Sequence, residues 1–334
     1  MKKDTVSYFD AEITSMIKKE YKELYPKLSI LILGSAGLGI DDKFSDLEAA
    51  FYLNDSDWKE SGANLQLSLN EILRKHNPWQ QKGSVLCVHP ISWLLDGQAE
   101  SILSGKDDIH WDQIEISSLY TIQNNRIYYD PEGKLSTLRE RTKAECYPNE
   151  QWKKKILISF RTLISEDYPE FYKCVIRSLR GEAQVLAGRM IEELLEMAFL
   201  LQQQYYPWRT HLTWAFSQSP SLLETFGSDI EEVIMGKSMR KKLLAVQNAI
   251  ETYKEYMITH DLLPEVDMKS EKLDEELLWA ERMHAWENPD WHAYVNSYSK
   301  EAVEDGYPAD DFWVWSLWGK SVKVAGRKNE CKDT

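Results

Sequence analysis

Residues 31–53 read LILGSAGLGIDDKFSDLEAAFYL, in which two apolar runs flank a glycine-rich turn and a polar loop. The first run ends in Gly34-Ser35, and the second begins within Asp46-Leu47-Glu48. Short apolar runs bounded by turn residues are typical of buried strands, so we expect strands over 28–33 and 47–53. Because strand side chains alternate between faces, Asp46 and Glu48 should share one face while Leu47 enters the core.

These residue types suit one kind of ligand. Two carboxylates on one face, Asp46 and Glu48, can share a divalent cation. Gly34 permits a close backbone approach at the end of the first strand, and Ser35 offers a hydroxyl and an amide to a phosphate oxygen. The stretch therefore predicts a site for a metal-bound nucleoside triphosphate.

The spacing resembles the signature of the nucleotidyltransferase superfamily related to DNA polymerase beta: an apolar strand, Gly-Ser, about ten residues, then acid-apolar-acid. It is similar in particular to bacterial aminoglycoside nucleotidyltransferases of the streptomycin/spectinomycin type, and to bacterial proteins that join the same domain to a helical C-terminal half. The likeness is clear over 28–53 and weaker to about residue 120 and over 180–215. Glu48 stands where many relatives have Asp. The alternative is a chance strand-loop-strand with a solvated acidic turn.

The resemblance implies an α+β fold with two domains. Residues 1–145 would form the nucleotidyltransferase domain, a mixed sheet with flanking helices, and 146–334 an all-helical domain that binds substrate or nucleotide. The pattern of the second half agrees, because apolar residues recur at three- and four-residue spacing over 152–164, 171–204 and 228–260.

A third carboxylate is expected from another strand. Ile114 and Ile116 alternate with polar neighbours, which predicts a strand with one polar face over 110–119. Glu115 lies between the two isoleucines and, by resemblance, would complete the metal site or accept a proton from the attacking hydroxyl. Asp112 is the alternative, and an exposed acid on an edge strand explains Glu115 equally well.

The resemblance also implies a cation from the helical half that reaches the triphosphate. Arg180 and Arg209 are the candidates by position, and Tyr206 could stack on the adenine. A surface arginine paired with Glu182 or Glu193 is the commoner explanation for each arginine, and packing before Pro207 is the commoner one for Tyr206.

Composition restricts the partners. The net charge of −14 argues against nucleic acid, whose affinity for proteins comes from Lys and Arg neutralising phosphates. Residues 264–311 hold 14 acids and four bases, a net charge of −10 that would attract a cationic substrate, although a solvated acidic face is the commoner reason for such a run. No run of about 18 apolar residues predicts a membrane span, and the charged amphipathic N-terminus predicts a cytoplasmic protein.

The chain is therefore predicted to be a nucleotidyltransferase that uses Mg²⁺, with two ions on Asp46 and Glu48, and ATP as substrate. The acceptor would be a small hydroxyl-bearing molecule, such as a cationic aminoglycoside antibiotic, which would make the chain a resistance enzyme. Two alternatives are transfer of AMP to a protein, as by antitoxins with this domain, and a catalytically silent interaction module. The sequence names neither the acceptor, the base specificity nor the oligomeric state.

Overall fold

The computed structural model describes residues 8–76, 84–105 and 109–262. Contacts divide the chain into two compact units, Met1–Trp152 with Gln202–Leu223, and Lys153–Leu201 with Glu224–Thr334. The acidic segment 264–311 lies outside the described residues.

The first unit contains a mixed four-stranded sheet in the order β3-β2-β1-β4. Its strands are β1 (Ser29–Ile32), β2 (Glu48–Leu53), β3 (Val85–Pro90) and β4 (Ile127–Tyr129). The pairs β1–β2 and β1–β4 are antiparallel, whereas β2 and β3 are parallel. The two strands predicted from residues 31–53 are confirmed, each within one residue of its expected limits.

One face of this sheet forms the main core of the first unit. Ala49, Phe51 and Leu53 alternate along β2 and are at most 1% exposed. They pack in one cluster with buried side chains of the N-terminal segment and of neighbouring strands and helices, which include Phe9, Ile13, Ile30, Ile32, Leu47, Leu65 and Leu86. The opposite face of β2 carries Glu48, Ala50 and Tyr52, as the alternation requires.

Helices flank the sheet in the first unit and form the described part of the second unit. In chain order they are α1 (Ser15–Glu20), α2 (Gly34–Leu38), α3 (Asp55–Asp57), α4 (Ala63–His76), α5 (Ala99–Ser104), α6 (Ile116–Asn124), α7 (Lys134–Arg141), α8 (Asn149–Thr162), α9 (Tyr168–Ile176), α10 (Arg180–Leu201), α11 (Arg209–Ser217), α12 (Pro220–Met235) and α13 (Met239–Thr259). π-Helical turns lie at Phe9–Thr14, Trp58–Gly62 and Leu163–Asp167. Short 3₁₀ turns lie at Tyr25–Lys27, Ile91–Trp93, Trp111–Gln113 and Ala144–Cys146.

The α+β prediction with a helical C-terminal region is confirmed, but two predicted long helices are broken. The helix expected over 171–204 is interrupted at Ser178, whose φ of 58° is left-handed and ends α9. The helix expected over 228–260 is interrupted at Gly236, where a Cβ would lie 2.6 Å from the Glu232 carbonyl oxygen. Apolar periodicity continues across both breaks, so it does not reveal them.

The strand predicted over 110–119 is wrong. Trp111–Gln113 is a 3₁₀ turn, and Glu115 is the N-cap residue of α6. The backbone N–H of Glu115 donates to Asp96 Oδ2 at 2.9 Å, a bond that fixes the helix start. Buried Ile116, Leu119 and Ile122 recur at the three-residue spacing of a helix, which outweighs the two-residue alternation of Ile114 and Ile116.

Residues 202–223 belong to the first unit because aromatic packing fixes them there. Tyr205 stacks on Trp152 with ring centroids 5.4 Å apart and meets Tyr147 edge-on at 6.0 Å. The domain boundary near residue 145 stays a prediction. Among the described residues, no helix is both long and apolar enough to cross a membrane.

Candidate active site

The acid pair lies where β2 begins. Glu48 is the first residue of the strand, Asp46 precedes it by two positions, and both are partly buried. Leu47 between them is 0% exposed and belongs to the core under the sheet. Leu47 enters the core as strand alternation predicts, and Glu48 begins β2 on the opposite face.

Among the described residues, no cation compensates the negative charge of this pair. Burial raises the pKa of the Glu48 carboxyl, and the neighbouring charge of Asp46 raises it further. Within the part of the chain that the structure describes, neither carboxylate forms a hydrogen bond or an ion pair. A partly desolvated pair of this kind favours binding of a cation, because the cation removes the repulsion between the two acids.

Gly34 lies directly against the Glu48 carboxylate. Its φ is +58°, and a Cβ on it would lie 2.5 Å from Glu48 Oε2. The backbone nearby is also fixed, because the Leu33 N–H donates to the Glu48 carbonyl at 2.8 Å. Glycine is required here both by its left-handed conformation and by the space that Glu48 occupies.

The turn that carries Gly34 and Ser35 is fastened to the sheet through Gly37. A Cβ at Gly37 would lie 2.2 Å from the Ile32 carbonyl oxygen, so the turn packs tightly on β1. The Arg126 N–H donates to the Gly37 carbonyl at 3.0 Å. Ser35 is partly buried in this turn. In the sequence, the spacing of three residues from Gly34 is the signal that marks Gly37.

Asp42 organises the polar loop that leads to the acid pair. Its Oδ1 accepts the backbone N–H groups of Phe44 at 2.8 Å and of Ser45 at 3.0 Å. The hydrogen bond from Phe44 is the main reason that the pKa of Asp42 is lowered. These hydrogen bonds fix the backbone of the loop that precedes Asp46.

Cys87 is a neighbour of Glu48 on the adjacent strand. It lies on β3, pairs in register with Ala50 of β2, and so lies on the Glu48 face of the sheet. Burial raises the pKa of the Cys87 thiol, and the Glu48 charge raises it further. Only the pairing of β2 with β3 brings the two residues together, and no local sequence signal marks it.

The residues present fit a magnesium site completed by substrate. Over the described ranges, no group of three or more His, Cys, Asp and Glu side chains is arranged to hold a metal ion. Mg²⁺ in nucleotide enzymes is commonly held by one or two carboxylates together with substrate phosphates and water. The two carboxylates Asp46 and Glu48 match that chemistry.

Within the described ranges, no third acid joins Asp46 and Glu48 in a group that could hold a metal ion. Glu115 is exposed at the start of α6, and Asp112 is exposed in the preceding 3₁₀ turn. The side chain of Glu115 does not cap α6. The role of either acid stays a prediction.

The three residues predicted to contact the nucleotide are divided between the two units. Arg209 begins α11 in the first unit, with its guanidinium 5.1 Å from the centroid of the Trp208 ring. Tyr206, three residues earlier, is partly buried. Arg180 is exposed and begins α10 in the second unit.

Residues 111–214 match a family described as a domain of unknown function, DUF4037. No curated protein matches the chain. Among solved structures, the chain is similar to a nucleotidyltransferase-like protein from Exiguobacterium sibiricum 255-15, with 11% identity, a TM-score of 0.39 and coverage of 87% of this chain and 92% of that one. A likeness this distant assigns neither a family nor a function.

Proposed function

We propose that the chain is a magnesium-dependent nucleotidyltransferase that moves AMP from ATP to a hydroxyl group of a small molecule. The observation that carries the proposal is the uncompensated pair Asp46 and Glu48, with the Gly34 backbone pressed against one of its carboxylates. The Gly-Ser and acid-apolar-acid spacing of residues 34–48 supports the same chemistry.

Asp46 and Glu48 would hold the metal, and two bound Mg²⁺ ions would supply positive charge to the reacting triphosphate. Gly34 and Ser35 would cradle the terminal phosphates, with Ser35 donating its hydroxyl and amide to phosphate oxygens. Arg209 and Arg180 would bind the triphosphate, and Tyr206 would stack on the base.

In the proposed reaction the acceptor oxygen forms a bond to the α-phosphorus while the bond from that phosphorus to the bridging oxygen breaks. Pyrophosphate leaves, and the hydroxyl proton passes to a general base. We propose Glu115 for that base, with Asp112 as the alternative. The partly buried acid pair would then hold the metal while a separate carboxylate handles the proton.

We propose a cationic acceptor, such as an aminoglycoside-like antibiotic, and a cytoplasmic location. The support is the family resemblance together with the acidity of the chain, which carries a net charge of −14. The same charge opposes a nucleic acid partner. Residues 1–145 would carry the nucleotide chemistry and 146–334 the substrate contacts.

Asp46→Asn tests the proposal, with Asp41→Asn in the same loop as the matched control. We expect Asp46→Asn to abolish Mg²⁺-dependent ATP binding and transfer of label from α-labelled ATP, because it removes one charge of the pair and keeps the shape. Circular dichroism should show an unchanged fold, and Asp41→Asn should behave as the wild type. Normal turnover by Asp46→Asn would exclude the acid pair as the metal site. Label on small molecules separates this function from AMP transfer to a protein band.

A second experiment assigns the base. We expect Glu115→Gln to lower turnover by about 10²–10⁴-fold with little change in ATP affinity, because the amide keeps its shape and cannot accept the proton. Asp112→Asn is the matched comparison, and a full turnover defect there instead would transfer the role to Asp112. A fully active Glu115→Gln enzyme would refute Glu115 as the base.

A further inference from the structure

Four aromatic side chains form a continuous cluster at the edge of the sheet in the first unit. Their ring centroids lie 6.3 Å apart for Tyr52 and His89, 5.8 Å for His89 and Trp93, and 5.4 Å for Trp93 and Trp58. Trp93 is 60% exposed although two aromatic rings, His89 and Trp58, pack against it, whereas Tyr52 at the inner end of the cluster is 7% exposed. The outer part of the cluster therefore presents aromatic surface to a ligand.

The cluster is separate from the acid pair. Tyr52 and His89 pair in register near the C-terminal ends of β2 and β3, on the face that carries Glu48. Four strand residues, or about 13 Å, separate Tyr52 from Glu48. A ligand on the cluster can therefore bind without occupying the metal site.

A carboxylate with one unsatisfied oxygen lies beside the cluster. Asp55 Oδ2 accepts the Ser92 hydroxyl at 3.0 Å, which ties Asp55 to the turn that carries Trp93. Trp58 lies one helical turn after Asp55. Asp55 Oδ1 is buried and has no hydrogen-bond partner in the described part of the chain. A desolvated carboxylate oxygen without a donor is costly, and a nearby cation compensates it.

The charged and titratable groups near Asp55 leave it able to bind a cation from solution. Asp57, two residues further on, already has its cation, since Lys27 Nζ lies 2.8 Å from its Oδ1 and the pKa of Asp57 is lowered. Burial lowers the pKa of His89, so that ring is neutral near pH 7 and does not repel a cation. Aromatic faces attract cations through the negative charge of their π-systems.

We propose that Trp58, Trp93 and His89 with Asp55 form a binding site for a small organic ammonium ion, with the buried Tyr52 ring packed behind His89. Alkylated ammonium groups fit better than metal cations, because they shed water readily and contact aromatic rings with their methyl and methylene groups. The Ser92 hydroxyl holds Asp55 in place. The proposal does not depend on nucleotidyl transfer, since none of these residues belongs to the acid pair or its turn.

Choline is the probe, and its neutral isostere 3,3-dimethylbutan-1-ol tests the need for charge. Binding to the full-length protein is followed by the shift of tryptophan indole N–H signals in nuclear magnetic resonance spectra, with the Trp93 signal identified by its loss in Trp93→Ala. We expect saturable binding of choline in the millimolar range, and binding of the isostere weaker by at least about tenfold.

Trp93→Ala and Asp55→Asn should each weaken choline binding by at least about tenfold. Trp208→Ala is the matched control, because Trp208 is 61% exposed, close to the 60% of Trp93, and contacts Arg209 instead of Asp55. It should leave choline affinity unchanged. Should Asp55→Asn fail to fold, Trp93→Ala decides alone, since its side chain is mostly exposed. Equal binding of the neutral isostere, equal loss in Trp208→Ala, or no saturation by about 50 mM choline would overturn the proposal.

Discussion

Gly34→Ala should damage nucleotide chemistry more than it damages the fold. The φ of +58° makes any side chain at this position strained, at a cost of about 1–2 kcal/mol in the free energy of unfolding. The new Cβ would also lie 2.5 Å from Glu48 Oε2, and ordinary contact begins at 3.4 Å, so the carboxylate must move by about 0.9 Å. The carboxylate is the end of a flexible side chain, so this movement adds little to the loss of stability.

ATP binding and turnover should be more sensitive to Gly34→Ala than the free energy of unfolding is. A misplacement of about 1 Å in a catalytic group can cost about 10²-fold in rate, so we expect a turnover loss of that size and weaker Mg²⁺-dependent ATP binding. Urea unfolding measures the stability, isothermal titration calorimetry the ATP affinity, and labelled transfer the rate.

Gly39→Ala is the matched control. Gly39 has a φ of +74° and ends the same short helix, but a Cβ there meets nothing within 4 Å. It should therefore lose similar stability and keep ATP affinity and turnover. Equal functional losses in the two variants would show that strain in the turn, and not displacement of Glu48, is responsible, and would refute the reasoning.

Two further predictions concern stability. The pKa of Glu48 is raised in the folded state, so the contribution of Glu48 to stability is present at low pH and is lost as the pH rises through that pKa. Glu48→Gln should therefore be more stable than the wild type at pH 7. It should lose this advantage below about pH 4. Urea unfolding at both pH values measures this, and a less stable Glu48→Gln at pH 7 would contradict it. Tyr253→Phe should lower the free energy of unfolding by about 1 kcal/mol, because the buried hydroxyl donates to the Leu194 carbonyl at 2.6 Å. Tyr256→Phe is its control in the same unfolding experiment, and equal losses would deny that hydrogen bond its role.

The acid pair could be predicted from sequence because the information that places it is local. Alternation along one strand puts Leu47 in the core and turns Asp46 and Glu48 to the other side, whatever the rest of the chain does. The close approach of Gly34 also follows from a turn between neighbouring strands.

The environment of Glu115 could not be read in the same way. Its helix start depends on Asp96, 19 residues earlier, and a ten-residue window around Ile114 and Ile116 imitates a strand. Cys87 reaches the neighbourhood of Glu48 through the parallel pairing of β2 and β3, which sequence periodicity does not specify. Contacts that depend on long-range pairing therefore cannot be predicted from local sequence patterns.

The link between Gly37 and Arg126 has a consequence for synthesis of the chain. The Gly37 carbonyl accepts the Arg126 N–H, and the Ile32 N–H donates to the Arg126 carbonyl. Arg126 directly precedes β4. These bonds can therefore hold the turn that carries Gly34 and Gly37 only after a much later part of the chain has been synthesised. Contacts between distant residues form late because the long loop between them must first be closed. When β1 and β2 have left the ribosome and β4 has not, the nascent chain already contains Asp46 and Glu48, but its Gly34–Gly37 turn lacks the hydrogen bonds to Arg126. Nucleotide binding by nascent chains of increasing length should therefore begin only after β4 has left the exit tunnel.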